Sequence, residues 1–324
     1  MNENLEPEAK GPAPYKCAVV GIVGRTNSGK SSLINRMVGE KISIVSPVQQ
    51  TTRNTIRGIL TEDRGQLVFR DTPGLHKAES VLGTLMNRMA RAASAGVDIL
   101  CVVFDASRSP HLEDDGWMRR AVNEEEPVLF VLNKKDRFDR RADDANPVPL
   151  SVERFHELWG RIKAEKKSSK EVTWIETSAL SEEGVKPLLD ALFARATPSE
   201  ELLFPEDIVT DYPRKLAIAD VIREKYLMKI SDEVPHELGI KIDQIAESER
   251  QWDVSVTVYV NRPSQKLIVI GKNGRTIKFV RQNAEKELSE IFGVKVSLDI
   301  WVKIEKDWMK NFWLLREMGY AGGI

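Results

Sequence analysis

An uninterrupted apolar run, Cys17-Ala-Val-Val-Gly-Ile-Val-Gly24, leads straight into Gly24-Arg-Thr-Asn-Ser-Gly-Lys-Ser-Ser32, and this junction restricts the folds open to the chain. A strand that is apolar on both faces must be covered on both sides, as a central strand of a parallel sheet is. The glycines let the backbone beyond it curl with its N–H groups pointing inward. The spacing of Leu33, Ile34 and Met37 then predicts a helix opening at the end of the curl. Strand, loop and helix with G-x-x-x-x-G-K-[ST] spacing form a cradle for a polyphosphate, with the positive helix end aimed at it. In such a cradle Lys30 reaches the β- and γ-phosphates and the Ser31 hydroxyl ligates Mg²⁺.

Similar apolar runs recur at Gln66–Asp71, Asp98–Asp105, Pro127–Asn133 and Val172–Ala179. Amphipathic stretches lie between them, as in Phe155, Leu158, Trp159 and Ile162, which share one helical face. Strands alternating with helices predict an α/β domain with a mainly parallel sheet and helices on both faces. The charged, proline-containing segment Arg137–Pro149 reads as a surface loop. The alternation stops near Ala196, where Pro198, Pro205 and Pro213 punctuate an aperiodic stretch. A helix around Leu216–Ile230, two β-rich runs, a second helix ending near Phe292 and a last strand then predict a smaller α+β domain. The expected organisation is a flexible tail over 1–14, the α/β domain over 15–197, a linker over 198–214 and the second domain over 215–324.

Composition excludes other classes. Cys17 and Cys101 each sit in an apolar run, which suits buried thiols in a reducing compartment, and four scattered histidines offer no zinc site. The acidic, proline-bearing N-terminus has no apolar core of a secretory signal, and no apolar run is long enough to cross a bilayer. A cytoplasmic location is expected. The formal net charge of −1 says nothing about a nucleic-acid partner, because local clustering decides that.

Three further motifs fall at strand ends. In Asp71-Thr72-Pro73-Gly74 the carboxylate can hold Mg²⁺ through its waters and the Gly74 N–H can meet a γ-phosphate. In Asn133-Lys134-Lys135-Asp136 the Asp136 carboxylate can accept from N1–H and N2–H₂ of guanine, donors adenine lacks on that edge. Thr177-Ser178-Ala179 supplies a backbone N–H for a guanine O6. The expected GTP-binding set is therefore Gly24, Arg25, Thr26, Asn27, Ser28, Gly29, Lys30, Ser31, Ser32, Asp71, Thr72, Pro73, Gly74, Asn133, Lys134, Asp136, Ser178 and Ala179.

Late in the chain, Ile270-Gly-Lys-Asn-Gly-Arg-Thr-Ile277 looks like a second phosphate loop but lacks the G-K-[ST] ending. It fits I-G-x-x-G-x-x-I, the core of a KH module, whose glycines bring the backbone close to successive phosphates of single-stranded RNA. Six basic residues and no acidic one lie between Val254 and Ala284. Ile270, Gly271, Lys272, Asn273, Gly274, Arg275, Lys278 and Arg281 are the expected RNA-binding residues. Trp301, Trp308, Trp313 and Tyr320 could stack on bases, but core packing or docking on neighbouring elements is the favoured reading for them.

In order, GRTNSGKS, DTPG, NKKD and TSA resemble the translation-factor-like GTPases. QTTR at Gln50–Arg53, DTPGLHK, FPEDIVTD and DVIREK, with the KH pattern, narrow the resemblance to the Era family of bacterial GTPases from about Pro14 onward. That resemblance implies that Thr52, with Thr51 as the alternative, is the switch threonine that joins Ser31 and Asp71 around Mg²⁺. It also implies that Lys30, Thr52, Gly74 and Asn27 serve catalysis. Leu75 stands where many GTPases carry the glutamine that orients the attacking water. Some relatives of this wider group hold K⁺ with the asparagine matching Asn27, although Asn27 could equally just tighten the loop. Thr26 and Ser28 depart from the Pro and Val usual in Era. The implied function is GTP hydrolysis, slow without RNA or a ribosomal partner, and binding near the 3′ end of 16S rRNA during 30S subunit assembly and rRNA maturation. A monomer without DNA as partner is implied, and peripheral contact at the inner face of the cell membrane is compatible with it. A nucleotide-gated RNA chaperone with little intrinsic GTPase activity is the alternative that Leu75 keeps open.

Overall fold

A computed structural model of the chain describes residues 15–43, 56–71, 96–137, 150–230 and 237–320. The first domain is built on β1 (Tyr15–Val23), β2 (Ile56–Glu62), β3 (Gly65–Asp71), β4 (Ile99–Asp105), β5 (Val128–Asn133) and β6 (Thr173–Glu176), in the order β2-β3-β1-β4-β5-β6. Neighbours are parallel except β2 with β3, and a short β7 (Thr197–Ser199) returns antiparallel to β1. Every residue of β4 and β5 is buried, the condition that the apolar runs impose. Successive β4 side chains serve opposite layers. Ile99, Cys101 and Val103 pack under α1 (Lys30–Val38) and α4 (Val185–Arg195). Leu100, Val102 and Phe104 pack under α2 (Leu112–Ala121) and α3 (Leu150–Lys166). Both cysteines are free and buried.

The second domain comprises α5 (Arg214–Lys229), β8 (Gly239–Glu247), β9 (Gln251–Val260), α6 (Pro263–Ile270), α7 (Arg275–Phe292), β10 (Lys295–Ile304) and the short α8 (Phe312–Glu317). Its sheet runs β10-β9-β8, with β9 parallel to β10 and antiparallel to β8. A parallel pair needs a crossover, and α6, the glycine loop and α7 provide it. Val254, Val256 and Val258 of β9 join Val280, Ala284 and Leu288 of α7 in one core. Tyr259, of opposite parity, packs with Trp308, Leu314, Leu315, Met318 and Tyr320 on the other face.

Four elements extend the pattern read from sequence. β2 and β7 were not among its strands, and α6 and α8 add helices to the expected order. Pro263 starts α6, where a missing N–H costs nothing, and the Gln265 side chain accepts from the N–H groups of Asn261 and Arg262. Of the four aromatic residues, Trp308 and Tyr320 are buried, and the Trp308 indole donates to the Glu237 carbonyl at 2.9 Å. Trp301 and Trp313 depart from the packing expectation, being 67% and 69% exposed.

The connection between domains is hydrogen-bonded to the first sheet. Ile59 N–H on edge strand β2 donates to Val209 O at 2.8 Å, and the Thr210 hydroxyl donates to Arg57 O at 2.7 Å. The Gln66 side chain donates to Phe204 O and accepts from Phe204 N–H. Just past α1, Lys41 pairs with Glu224 of α5 at 2.7 Å and Glu287 of α7 at 2.6 Å, and Lys225 bridges the same two carboxylates.

Candidate nucleotide site and glycine-loop surface

The phosphate loop leaves the C-terminal end of β1 with its glycines where side chains cannot go. Gly24 has φ +147°, and an added Cβ would lie 2.3 Å from Val103 O. Gly29 has φ +96°, and its Cβ would meet the Asn133 side chain at 2.3 Å. α1 begins at Lys30, so the loop's N–H groups and the positive helix end converge. The Lys30 ammonium lies inside the curl, donating to Gly24 O at 3.2 Å and Arg25 O at 2.8 Å. Burial lowers its pKa to about 8, Asp71 opposing that shift and Arg25 adding to it. Asp71 is fully buried at the end of β3, which is in register with β1. A serine hydroxyl at the helix start and a carboxylate beside the lysine form a hard oxygen donor set suited to Mg²⁺.

The guanine-type loop is tied directly to the phosphate loop. Asn133 ends β5 and donates through Nδ2 to Ser28 O at 2.9 Å. Its Oδ1 accepts from the Thr177 hydroxyl at 3.2 Å and from Ala179 N–H at 3.3 Å. Lys134 adopts a left-handed φ of +67° and donates to Asn27 O at 2.7 Å and Asp105 Oδ2 at 2.8 Å. Asp136 accepts from the Ser178 hydroxyl at 2.6 Å. Lys135 turns to Glu176 and Glu183, leaving Lys134 and Asp136 as the two charged residues of the motif that face the site network. Asn27 is left-handed too, at φ +61°. Thr26, Ser31 and Ser32 are half-buried on the same loop and helix start. Thr51, Thr52, Thr72, Pro73, Gly74 and Leu75 lie outside the described residues.

Two residues absent from the motif reading belong to this network. Asp105, ending β4, and Asp114, in α2, each lie 3.4 Å from the Arg25 guanidinium. Burial acts to raise the Asp105 carboxyl, but hydrogen bonds from Lys134 and Ser107, with the Lys134 and Arg25 charges, hold it below the usual range. Asp114 is fully buried and accepts from the His111 N–H; burial pushes its pKa up. The only sequence signal for them was faint: Asp105 closes an apolar strand, as Asp71 does, and Asp114 had none.

The second glycine loop has different geometry. Gly271 (φ +76°) closes α6, and a Cβ there would meet Thr276 Oγ1 at 2.2 Å. Gly274 (φ +71°) precedes α7, and its Cβ would face open space, the nearest atom being Ile277 Cγ2 at 4.0 Å. Lys272 and Asn273 form a single turn between them, Asn273 at φ +54°. Lys272, Arg275, Lys278 and Arg281 are exposed, Ile270 is half-buried, and Arg281 lies 4.0 Å from Glu285. An accessible loop at a helix start with cations around it suits a phosphate chain.

A nucleotide cradle on a mainly parallel sheet and a three-stranded module with a G-x-x-G crossover define a P-loop GTPase joined to a KH domain. The family model described as a 50S ribosome-binding GTPase matches residues 19–134, and a KH-domain model matches residues 233–309. The GTPase Era of Staphylococcus haemolyticus is 35% identical over 307 residues, covering 94% of this chain and 97% of that protein. A crystal structure of Era with MgGDPNP and nucleotides 1506–1542 of 16S ribosomal RNA aligns with a TM-score of 0.83 at 30% identity, over 95% of this chain and 99% of the other. A single-substitution variant of Aquifex aeolicus Era bound to GDP and AlF₄⁻ gives 0.82 at 31% identity, over 94% and 99%. The chain belongs to the Era family of GTPases, and its reaction is the hydrolysis of GTP to GDP and phosphate.

Proposed function

We propose that this GTPase binds RNA near the 3′ end of 16S rRNA and acts in assembly of the 30S subunit and maturation of that rRNA. The observation that carries the reading is the whole-chain likeness to an Era that holds a GTP analogue and 16S rRNA nucleotides 1506–1542 together. The open backbone at Gly274 and its exposed cations supply the chemistry for gripping a phosphate chain. Lys30 holds the β- and γ-phosphates, Asp136 reads guanine with Ser178 and Ala179, and Ser31, Asp71 and Thr52 hold Mg²⁺, a cation that the related Era carries with its nucleotide. Mg²⁺ there supplies charge neutralisation of the phosphates. With Leu75 unable to orient water, Asn27 holds K⁺ and hydrolysis runs faster in K⁺ than in Na⁺; equal rates in the two salts refute that assignment. The factor works as a cytoplasmic monomer. Among the described residues no helix is long and apolar enough to cross a membrane.

GTP binding orders the switch segments, and by linkage the ordered state binds RNA more tightly. RNA affinity measured with a non-hydrolysable GTP analogue and with GDP tests this coupling, and identical affinities remove it. Crosslinking in cells followed by sequencing of the bound RNA tests the target, with enrichment at the 16S 3′ end expected.

A further inference from the structure

We propose that Asp105 is a positioning residue for nucleotide binding, bracing the phosphate loop and the guanine loop against each other at the separation a nucleotide needs. Asp105 is the last residue of β4, paired in register with Asn133, and 4% exposed. Its Oδ2 accepts from Lys134 Nζ at 2.8 Å and lies 3.4 Å from Arg25 Nη2. Its Oδ1 accepts from the Ser107 hydroxyl at 2.5 Å and the Ser107 N–H at 3.2 Å, which fixes the carboxylate's direction. One buried anion therefore holds a cation from each loop, with the Lys134 ammonium continuing to Asn27 O at 2.7 Å.

Neutralising this carboxylate removes the charge that lets the two cations share a buried corner. Lys134 then has reason to leave for solvent, and with it go the Asn27 contact and support for its left-handed backbone. The Ser28 O–Asn133 hydrogen bond remains as a tie between the loops, so the site loosens without being abolished. Base and phosphates bind to opposite ends of this braced unit, so loosening weakens GDP and GTP alike.

The experiment uses the full chain with Asp105→Asn and fluorescently labelled GDP and GTP. Loss of a charge-assisted hydrogen bond predicts that both nucleotides are released faster by the same factor, about tenfold to a hundredfold. The preference for GTP over inosine triphosphate stays at the wild-type value, because Asp136 and its Ser178 partner are untouched. Active-site titration confines the rates to folded molecules. Asp105→Glu, which keeps the charge, restores slow release. Asp114→Asn, which removes the charge of the second Arg25 tether but keeps an acceptor for the His111 N–H, speeds release less than Asp105→Asn does. Native release from Asp105→Asn overturns the proposal, as does a loss of hydrolytic rate with release unchanged, or an Asp105→Glu variant as loose as the amide.

Discussion

Replacing Gly274 by Asp separates RNA binding from nucleotide chemistry. The backbone there is left-handed, a conformation Asp enters at a cost of about 1 kcal/mol. Because the new Cβ meets nothing closer than 4.0 Å, α7 keeps its packing through Val280, Ala284 and Leu288 and the domain stays folded. The carboxylate then stands at the helix start where an RNA phosphate would come. At roughly 5 Å and an effective dielectric of about 20, two unit negative charges repel by about 3 kcal/mol, a weakening of about a hundredfold. Fluorescence anisotropy with a labelled single-stranded RNA, at low salt and with a GTP analogue bound, measures it. GTP hydrolysis without RNA should match wild type, since the nucleotide loops belong to the other domain. RNA affinity within about threefold of wild type refutes the clamp. Gly271→Ala is a poorer probe, because its Cβ would strike Thr276 and deform the loop.

Four further outcomes are expected. Lys30 in the nucleotide-free protein titrates near 8, below its ordinary 10.5. Phosphate favours its charged form, so nucleotide affinity is flat below about pH 8 and falls above it, approaching tenfold per pH unit. Titrations from about pH 7 to about pH 8.5, before guanine itself deprotonates, check this, and a flat profile contradicts it. The same depressed pKa means that charging Lys30 destabilises the empty protein, so its stability rises as pH climbs from about 8 towards 10.5. Asp136→Asn replaces one of the two carboxylate acceptors for the guanine N1–H and N2–H₂ with an N–H donor and should cut the preference for GTP over inosine triphosphate by about tenfold or more, read from competition binding. Lys41→Ala should lower unfolding free energy by about 1 kcal/mol, a figure discounted for a lysine that remains 36% exposed. A double-mutant cycle with Glu287→Gln should show coupling between them, and strict additivity excludes it.

The two glycine loops were legible because their geometry is written in consecutive residues. Gly24 to Ser32 needs glycines, a lysine and a hydroxyl at fixed spacing, and the G-x-x-G at Gly271–Gly274 likewise needs backbone access. The central strands were legible because burial on both faces leaves no polar alternation, as in Ile99–Asp105. β2 and β7 lie at the sheet's margins, where pairing with the linker and with the start of β1 replaces a continuous apolar signal. The run at Leu267–Ile270 reads equally as strand or helix, and the proline start and Gln265 cap settle it as α6.

What lay outside the sequence depends on contacts between distant segments. Asp105 and Asp114 carry no motif, and their importance comes from a β4 end and a helix start that bring them to Arg25. Trp308 and Trp313 are chemically the same side chain, yet one fills the space above Gly239 and the other faces solvent. Ile291 continues the apolar face of α7 but remains 44% exposed, lining a cleft of about 310 Å³ beside Ile42 and Tyr212. Local sequence determined where the backbone curls at Gly24–Gly29 and Gly271–Gly274, because that depends on neighbouring φ values and side-chain size. Tertiary structure decided which charges join the two nucleotide loops and where the domains touch, because those energies exist only once remote residues share a buried corner.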